Sequence, residues 1–138
     1  MNASEIVRHV MSAPPVSIDV DAKPSDVHAL LTEKAFHHLP VLDRGVLVGM
    51  LSTLDLARVS LGRWVDDPST VAAWLDTQFS VRELMTWEPE FVRDDDPVRI
   101  AADRLASGGF HSLPVLDASD RLVGIVTSTD LLRLLANG

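Results

Sequence analysis

Apolar positions along the chain change their period in a fixed order, and the order occurs twice. Short apolar runs at residues 16–18 and 91–92, entered from Pro15 and Pro89, predict strands that follow extended backbone. Val27, Leu30 and Leu31 in one stretch, and Ile100, Ala101 and Leu105 in the other, then recur at helical spacing. Pro24 and Pro97 suit the first turns of these helices, Asp96 can cap the second, and Gly108-Gly109 can stop it. Residues 39–42 and 113–116 lead through polar turns at 43–45 and 117–120 into residues 46–51 and 122–126, which reads as a hairpin in each case. Thr53 or Ser128 can then cap a helix carrying Leu54, Leu56 and Val59, or Leu131, Leu132, Leu134 and Leu135. Each copy is therefore expected to be β-α-β-β-α.

A shift of 74 positions lays residues 7–43 on 81–117 without a gap, with 13 of the 37 positions identical. Average residue usage would produce about two such matches. The identities concentrate in Phe36-His37 and Leu39-Pro40-Val41-Leu42-Asp43, which answer Phe110-His111 and Leu113-Pro114-Val115-Leu116-Asp117. One extra residue in the next turn moves the offset to 75, where Leu47-Val48-Gly49 meets Leu122-Val123-Gly124 and Asp55, Leu56 and Arg58 meet Asp130, Leu131 and Arg133. Copies of about 55 residues are small for a self-sufficient core, so each is expected to bury an open face on the other about an internal pseudo-two-fold axis.

Short lead-in helices over 4–11 and 80–85 match one another, and each is assigned to the copy that follows it. Between the copies, Asp67-Pro68 starts a helical connector with Val71, Ala72, Trp74 and Leu75 at helical spacing. The expected organisation is residues 1–62 as the first unit with its lead-in, 63–79 as connector, and 80–138 as the second unit with its lead-in.

Composition narrows the chemistry. Apolar residues make up 46% of the chain, enough for a real core, and cysteine is absent, which removes disulfides and thiolate chemistry. A formal net charge of −8 repels phosphate backbones, so nucleic acid is not an expected partner. No apolar run is long enough to span a membrane and no basic-then-apolar start precedes the first repeat, so a cytoplasmic protein is expected. His37, His38 and His111 invite a metal reading, but two neighbours on one strand point to opposite faces, so no metal site is expected. The chain holds no G-x-S-x-G elbow, no H-E-x-x-H and no glycine-rich phosphate loop, and no enzymatic activity is expected.

Three features together resemble the cystathionine-β-synthase-type (CBS) domain family, whose units pair as Bateman modules. They are a lead-in ending in Met11 or Met85, the L-P-V-L-D strand, and G-h-h-[ST]-x-x-D at Gly49-Met50-Leu51-Ser52-Thr53-Leu54-Asp55 and Gly124-Ile125-Val126-Thr127-Ser128-Thr129-Asp130. The resemblance implies an α+β fold of two pseudo-symmetric β-α-β-β-α units packed sheet to sheet. It also implies a regulatory, sensory module with an adenosine-containing ligand in the cleft between units: AMP, ADP, ATP, S-adenosylmethionine or NADH. By that resemblance Asp55 and Asp130 hold ribose, Ser52 and Thr127 contact ribose or phosphate, and Ser17, His37, His38, His111 and Ser112 complete the ligand-binding set.

The chemistry suits these residue types. A carboxylate early in a helix can accept hydrogen bonds from both ribose hydroxyls, and the helix start offers N–H groups to a phosphate. The bland alternative is that Ser52, Asp55, Thr127 and Asp130 only cap their helices. In nucleotide-binding members the position before L-P-V often holds a basic residue facing phosphate, whereas here it is His38 or Ser112, which predicts a ligand with few phosphates. The family also implies a homodimer through apolar helix faces, here including Leu54, Leu61, Leu131 and Leu135, and a separate effector protein. A ligand-free interaction module is the alternative. Trp64 and Trp74 on the connector are read as core or interface anchors.

Overall fold

The computed structural model describes residues 5–33, 37–60, 68–108 and 111–137. The expectations placed on Ser4, Phe36, Leu61, Trp64, Asp67, Gly109 and Phe110 lie outside the described residues. The architecture is α+β and falls into two compact units, Val16–Glu88 and Met1–Pro15 with Pro89–Gly138.

The first-repeat unit runs β1 (Ile18–Asp19), α1 (Pro24–Glu33), β2 (His38–Asp43), β3 (Val46–Ser52), α2 (Thr53–Ser60), α3 (Pro68–Gln78), α4 (Val81–Leu84) and β4 (Thr86–Trp87). Its sheet has the order β1-β2-β3-β4. β1 lies parallel to β2, and β2 pairs antiparallel with β3 in a register that sets His38 opposite Ser52. The hairpin turn is tight because Arg44 and Gly45 both hold positive φ, 51° and 81°, the backbone a two-residue turn between twisted strands requires. Ile18, Val27, Leu31, Leu39, Val41, Leu51 and Leu56 are buried together, so the apolar residues predicted from period 2 and period 3.6 meet in one core.

The second-repeat unit runs β5 (Val92–Arg93), α5 (Val98–Gly108), β6 (Ser112–Leu116), β7 (Leu122–Thr127) and α6 (Ser128–Asn137). β5 is parallel to β6 and β6 antiparallel to β7, and Ser112 lies opposite Thr127 as His38 lies opposite Ser52. Val92, Val98, Ala101, Leu105, Leu113, Val115, Val126 and Leu131 form its core.

The lead-ins depart from the expected boundaries, because each packs on the other repeat. Val7 is buried in the second-repeat core, with Val10 and Met11 against it. The Val7 and Arg8 N–H groups donate to the Asp96 and Asp94 carbonyls, at 2.9 Å each. Ser12 exchanges backbone hydrogen bonds with Ile125 at 2.8 and 3.0 Å. In the first-repeat unit Val81 and Met85 join the core, and β4 extends the sheet beside β3. The two glycines of the G-h-h-[ST] stretches make this possible. A Cβ at Gly124 would meet Met11 Sδ at 2.4 Å, and one at Gly49 would meet Met85 Sδ at 2.4 Å.

Other boundaries shift slightly. The lead-ins are shorter than expected, a 3-10 turn at Val7–His9 and the four-residue α4, whose N-cap Ser80 accepts from the Glu83 N–H. The first strand of each repeat begins one or two residues later than its apolar run. Asp96 does not cap α5 by its side chain here; its carboxylate accepts the Arg93 N–H at 2.8 Å. Instead, α1 receives a cap from the connector. Asp76 of α3 accepts the Ser25 N–H at 2.9 Å and the Ser25 hydroxyl at 2.6 Å. The connector is thus docked on the first repeat, with Leu75 fully buried and Trp74 edge-on to Phe79 at 5.7 Å.

Candidate functional site

The two S/T-x-x-D stretches fold into the same local structure at the starts of α2 and α6. Ser52 ends β3 and its Oγ accepts the Asp55 N–H at 3.2 Å, while Asp55 Oδ2 accepts the Ser52 N–H at 2.8 Å and its hydroxyl at 3.0 Å. Thr127 Oγ1 accepts the Asp130 N–H at 3.0 Å, and Asp130 Oδ2 accepts the Thr127 N–H at 2.9 Å. These reciprocal pairs are capping boxes, and they satisfy helix-start N–H groups that would otherwise lack partners. The capping residues are therefore Ser52 and Thr127, one position earlier than the expected Thr53 and Ser128, which open the helices instead.

Each box engages one carboxylate oxygen and fixes the side chain at a helix start, where the backbone dipoles favour negative charge. Asp130 is 7% exposed, whereas Asp55 is half-buried. The second oxygen of Asp130 meets the Ser12 hydroxyl at 3.3 Å and lies 3.9 Å from Arg133 Nη1.

The remaining predicted residues divide. His38 and Ser112 open β2 and β6 opposite Ser52 and Thr127, so each stands on the same sheet face as its box hydroxyl. His37 and His111 are exposed and precede these strands, and their carbonyls accept the Thr53 and Ser128 N–H groups. They anchor the helix starts through backbone. Ser17 is half-buried and immediately precedes β1.

Ser12 and Arg133 were not among the predicted residues. Arg133 had a signal, since it matches Arg58 in the repeat and stands one helical turn from Asp130. Ser12 had none, because it reaches Asp130 across 118 positions of sequence and from the lead-in assigned to the other repeat.

The family model for the CBS domain matches residues 7–62 and 81–137. A CBS domain-containing protein of Dictyostelium discoideum is 30% identical over 131 residues, spanning 94% of this chain and 90% of that protein. L-aspartate semialdehyde sulfurtransferase of Methanocaldococcus jannaschii is 28% identical over 130 residues, 94% of this chain and 23% of that enzyme. The chain spans about a quarter of the length of the first curated relatives it matches. Among solved structures, the CBS domain pair of protein MJ0100 in complex with 5′-methylthioadenosine and S-adenosyl-L-methionine aligns with a TM-score of 0.77 and 27% identity, covering 96% of this chain and 97% of that one. CBSX2 of Arabidopsis thaliana, in its complex with AMP, aligns with a TM-score of 0.79 and 28% identity, covering 96% of each chain.

Proposed function

The chain belongs to the CBS domain family, and from that premise we propose that it is a regulatory module that binds an adenosine-containing small molecule and passes its occupancy to a partner protein. One observation carries the reading: in both units an acidic residue is pinned by one carboxylate oxygen at a helix start beside a serine or threonine hydroxyl. A carboxylate fixed at a helix start beside a hydroxyl is suited to accept the hydroxyls of a ribose. The adenosyl ligands bound by the similar CBS pairs support the class of ligand. In this reading Asp55 and Asp130 accept ribose hydroxyls, Ser52 and Thr127 orient them, and His38 and Ser112 set what else each unit tolerates. In this reading the function is regulatory, and the chain corresponds to about a quarter of the longer relatives that are named as enzymes.

A thermal-shift screen with AMP, ADP, ATP, S-adenosylmethionine, NAD and NADH tests this. A ligand that binds only the folded chain raises Tm according to its excess over Kd. A selective rise with one adenosyl compound supports the sensor; no rise with any of them refutes it.

A second reading has its own observation. Leu54 on α2 and Leu132 and Leu135 on α6 are 58%, 63% and 54% exposed, whereas Leu131, also expected at an interface, is core. The pair on α6 favours an association surface on that helix, read here as a homodimer contact. Leu132→Glu with Leu135→Glu should convert a sedimenting dimer to monomer; an unchanged mass removes this surface from the account.

A further inference from the structure

Asp130 is 7% exposed, and the first lead-in lies against it. The exposed Ser12 places its hydroxyl 3.3 Å from Oδ1 and 3.5 Å from Oδ2 of the Asp130 carboxylate. Oδ2 also accepts the Thr127 N–H at 2.9 Å, and Arg133 Nη1 stands 3.9 Å from Oδ1. A carboxylate offers about four lone-pair sites. With those partners in place and so little surface left, a ribose diol cannot bond Asp130 beside Ser12. It has to take the position of the Ser12 hydroxyl.

The stretch that brings Ser12 here is lightly held. Val7 is buried in the second-repeat core and anchors the lead-in, but past Met11 the backbone makes one bridge, the pair of bonds between Ser12 and Ile125. Residues 12–14 are exposed. The matching stretch of the second lead-in is a strand, β4, paired with β3 at two positions and followed by a bond from the Glu88 N–H to the Val48 carbonyl at 3.1 Å. Among the described residues, the Ser12 hydroxyl adds to only two backbone bonds on its stretch, so losing it should loosen the other two. Residues 12–15 also carry the chain from one compact unit into the other, which begins at Val16.

We infer that residues 12–15 are a strap across Asp130: the Ser12 hydroxyl and the ribose of an adenosyl ligand compete for one carboxylate, so ligand binding at the second-repeat unit loosens the strap and a docked strap weakens the ligand. This rests on the ligand reading above and adds its regulation. Coupling of this kind is reciprocal. Whatever pulls the strap from Ile125 raises affinity at Asp130 by the factor with which the ligand favours release.

The test titrates the full chain carrying Asp55→Asn, which leaves Asp130 as the boxed carboxylate, with AMP and with 5′-methylthioadenosine, both of which present a free ribose diol. Ser12→Ala should bind whichever of these its parent binds about threefold to tenfold more tightly, the weight of one partly exposed hydrogen bond. Without ligand the same variant should melt about 1–4 °C lower, because a contact of the free chain is gone. Ser12→Thr, which keeps a hydroxyl as Thr86 does in the second lead-in, should restore the parent's affinity. Hydrogen exchange gives a readout that a merely structural contact would not move: saturating ligand should speed exchange of the Ser12 and Ile125 amides about threefold to tenfold in the parent and leave it unchanged in Ser12→Ala. Equal or weaker binding by Ser12→Ala overturns the strap and spares the ligand reading. So does exchange at these amides that ligand leaves unchanged or slows in the parent, or binding that Asp55→Asn alone abolishes. Failure of every adenosyl compound to bind the unsubstituted chain removes both.

Discussion

Gly124→Ala is the sharpest test of how the lead-ins are distributed. The added Cβ would stand 2.4 Å from Met11 Sδ, 3.0 Å from Met11 Cγ and 3.0 Å from the Ser12 carbonyl oxygen. The methionine end can move, but the Ser12 carbonyl is held by its backbone bond from Ile125. Overpacking of this kind costs about 1–3 kcal/mol. Met11→Ala alone should cost about 1–2 kcal/mol, less than a fully buried methionine, because Met11 is half-buried. In the double variant the methionine clash is absent and only the carbonyl contact remains, so the two should couple by about 1–2 kcal/mol and the double variant should be more stable than the sum predicts. Urea unfolding of the four chains in the cycle gives the coupling. The control pairs Gly124→Ala with Met85→Ala, which should add to within about 0.5 kcal/mol because Met85 lies against Gly49. Additivity with Met11, or coupling with Met85 in its place, would refute the exchanged lead-ins.

Further predictions follow from single contacts. Asp76→Ala removes both bonds to Ser25 and leaves the α1 start uncapped, which should cost about 1–2 kcal/mol in chemical denaturation; no loss would mean that the connector does not dock there. Burial holds the His28 imidazole below its ordinary value, so the folded chain binds that proton less readily than the unfolded chain. Stability should be complete above about pH 6.5 and decline as pH falls through that value, and His28→Gln should flatten the decline in pH-dependent melts; an unchanged slope would contradict the assignment. The Asp117 carboxyl is held below the usual range, first by the Arg121 backbone N–H and also by the Ser119 N–H and the Arg121 charge. Its contribution should be present above about pH 4 and fade below it, so Asp117→Asn should lose that part of the acid limb, which melts between pH 3 and 5 would read.

Local physics was legible in the sequence where it decides the outcome alone. The L-P-V-L-D strands and their polar turns predicted both hairpins, because alternation and turn residues act within a few positions. The helix starts were legible to within one residue. Thr53 and Ser128 were expected as caps, but a cap must catch an N–H three positions on, and Ser52 and Thr127 have Asp55 and Asp130 there. Ownership of the lead-ins was not legible. Val7-Arg8 and Met11 match Val81-Arg82 and Met85, so either lead-in offers the same apolar face to either glycine and local pattern cannot choose. Ser112 was read as a site residue, but nothing in one sequence reveals that its hydroxyl is buried with no hydrogen-bond partner among the described residues. The Ser12 contact to Asp130 joins segments at opposite ends of the chain, which spacing rules do not reach.

The central claim is that the boxed carboxylates bind an adenosyl ligand, and calorimetric titration of the chain and of its Asp55→Asn and Asp130→Asn variants tests it most directly. Asparagine keeps an oxygen for the box N–H and so preserves the helix starts, but it replaces a ribose acceptor with a donor. The account predicts saturable binding of an adenosyl compound, weakened at least tenfold in one variant or both while their melts stay within a few degrees of the parent. Binding that is indifferent to both substitutions, or absent throughout with the fold intact, would contradict it.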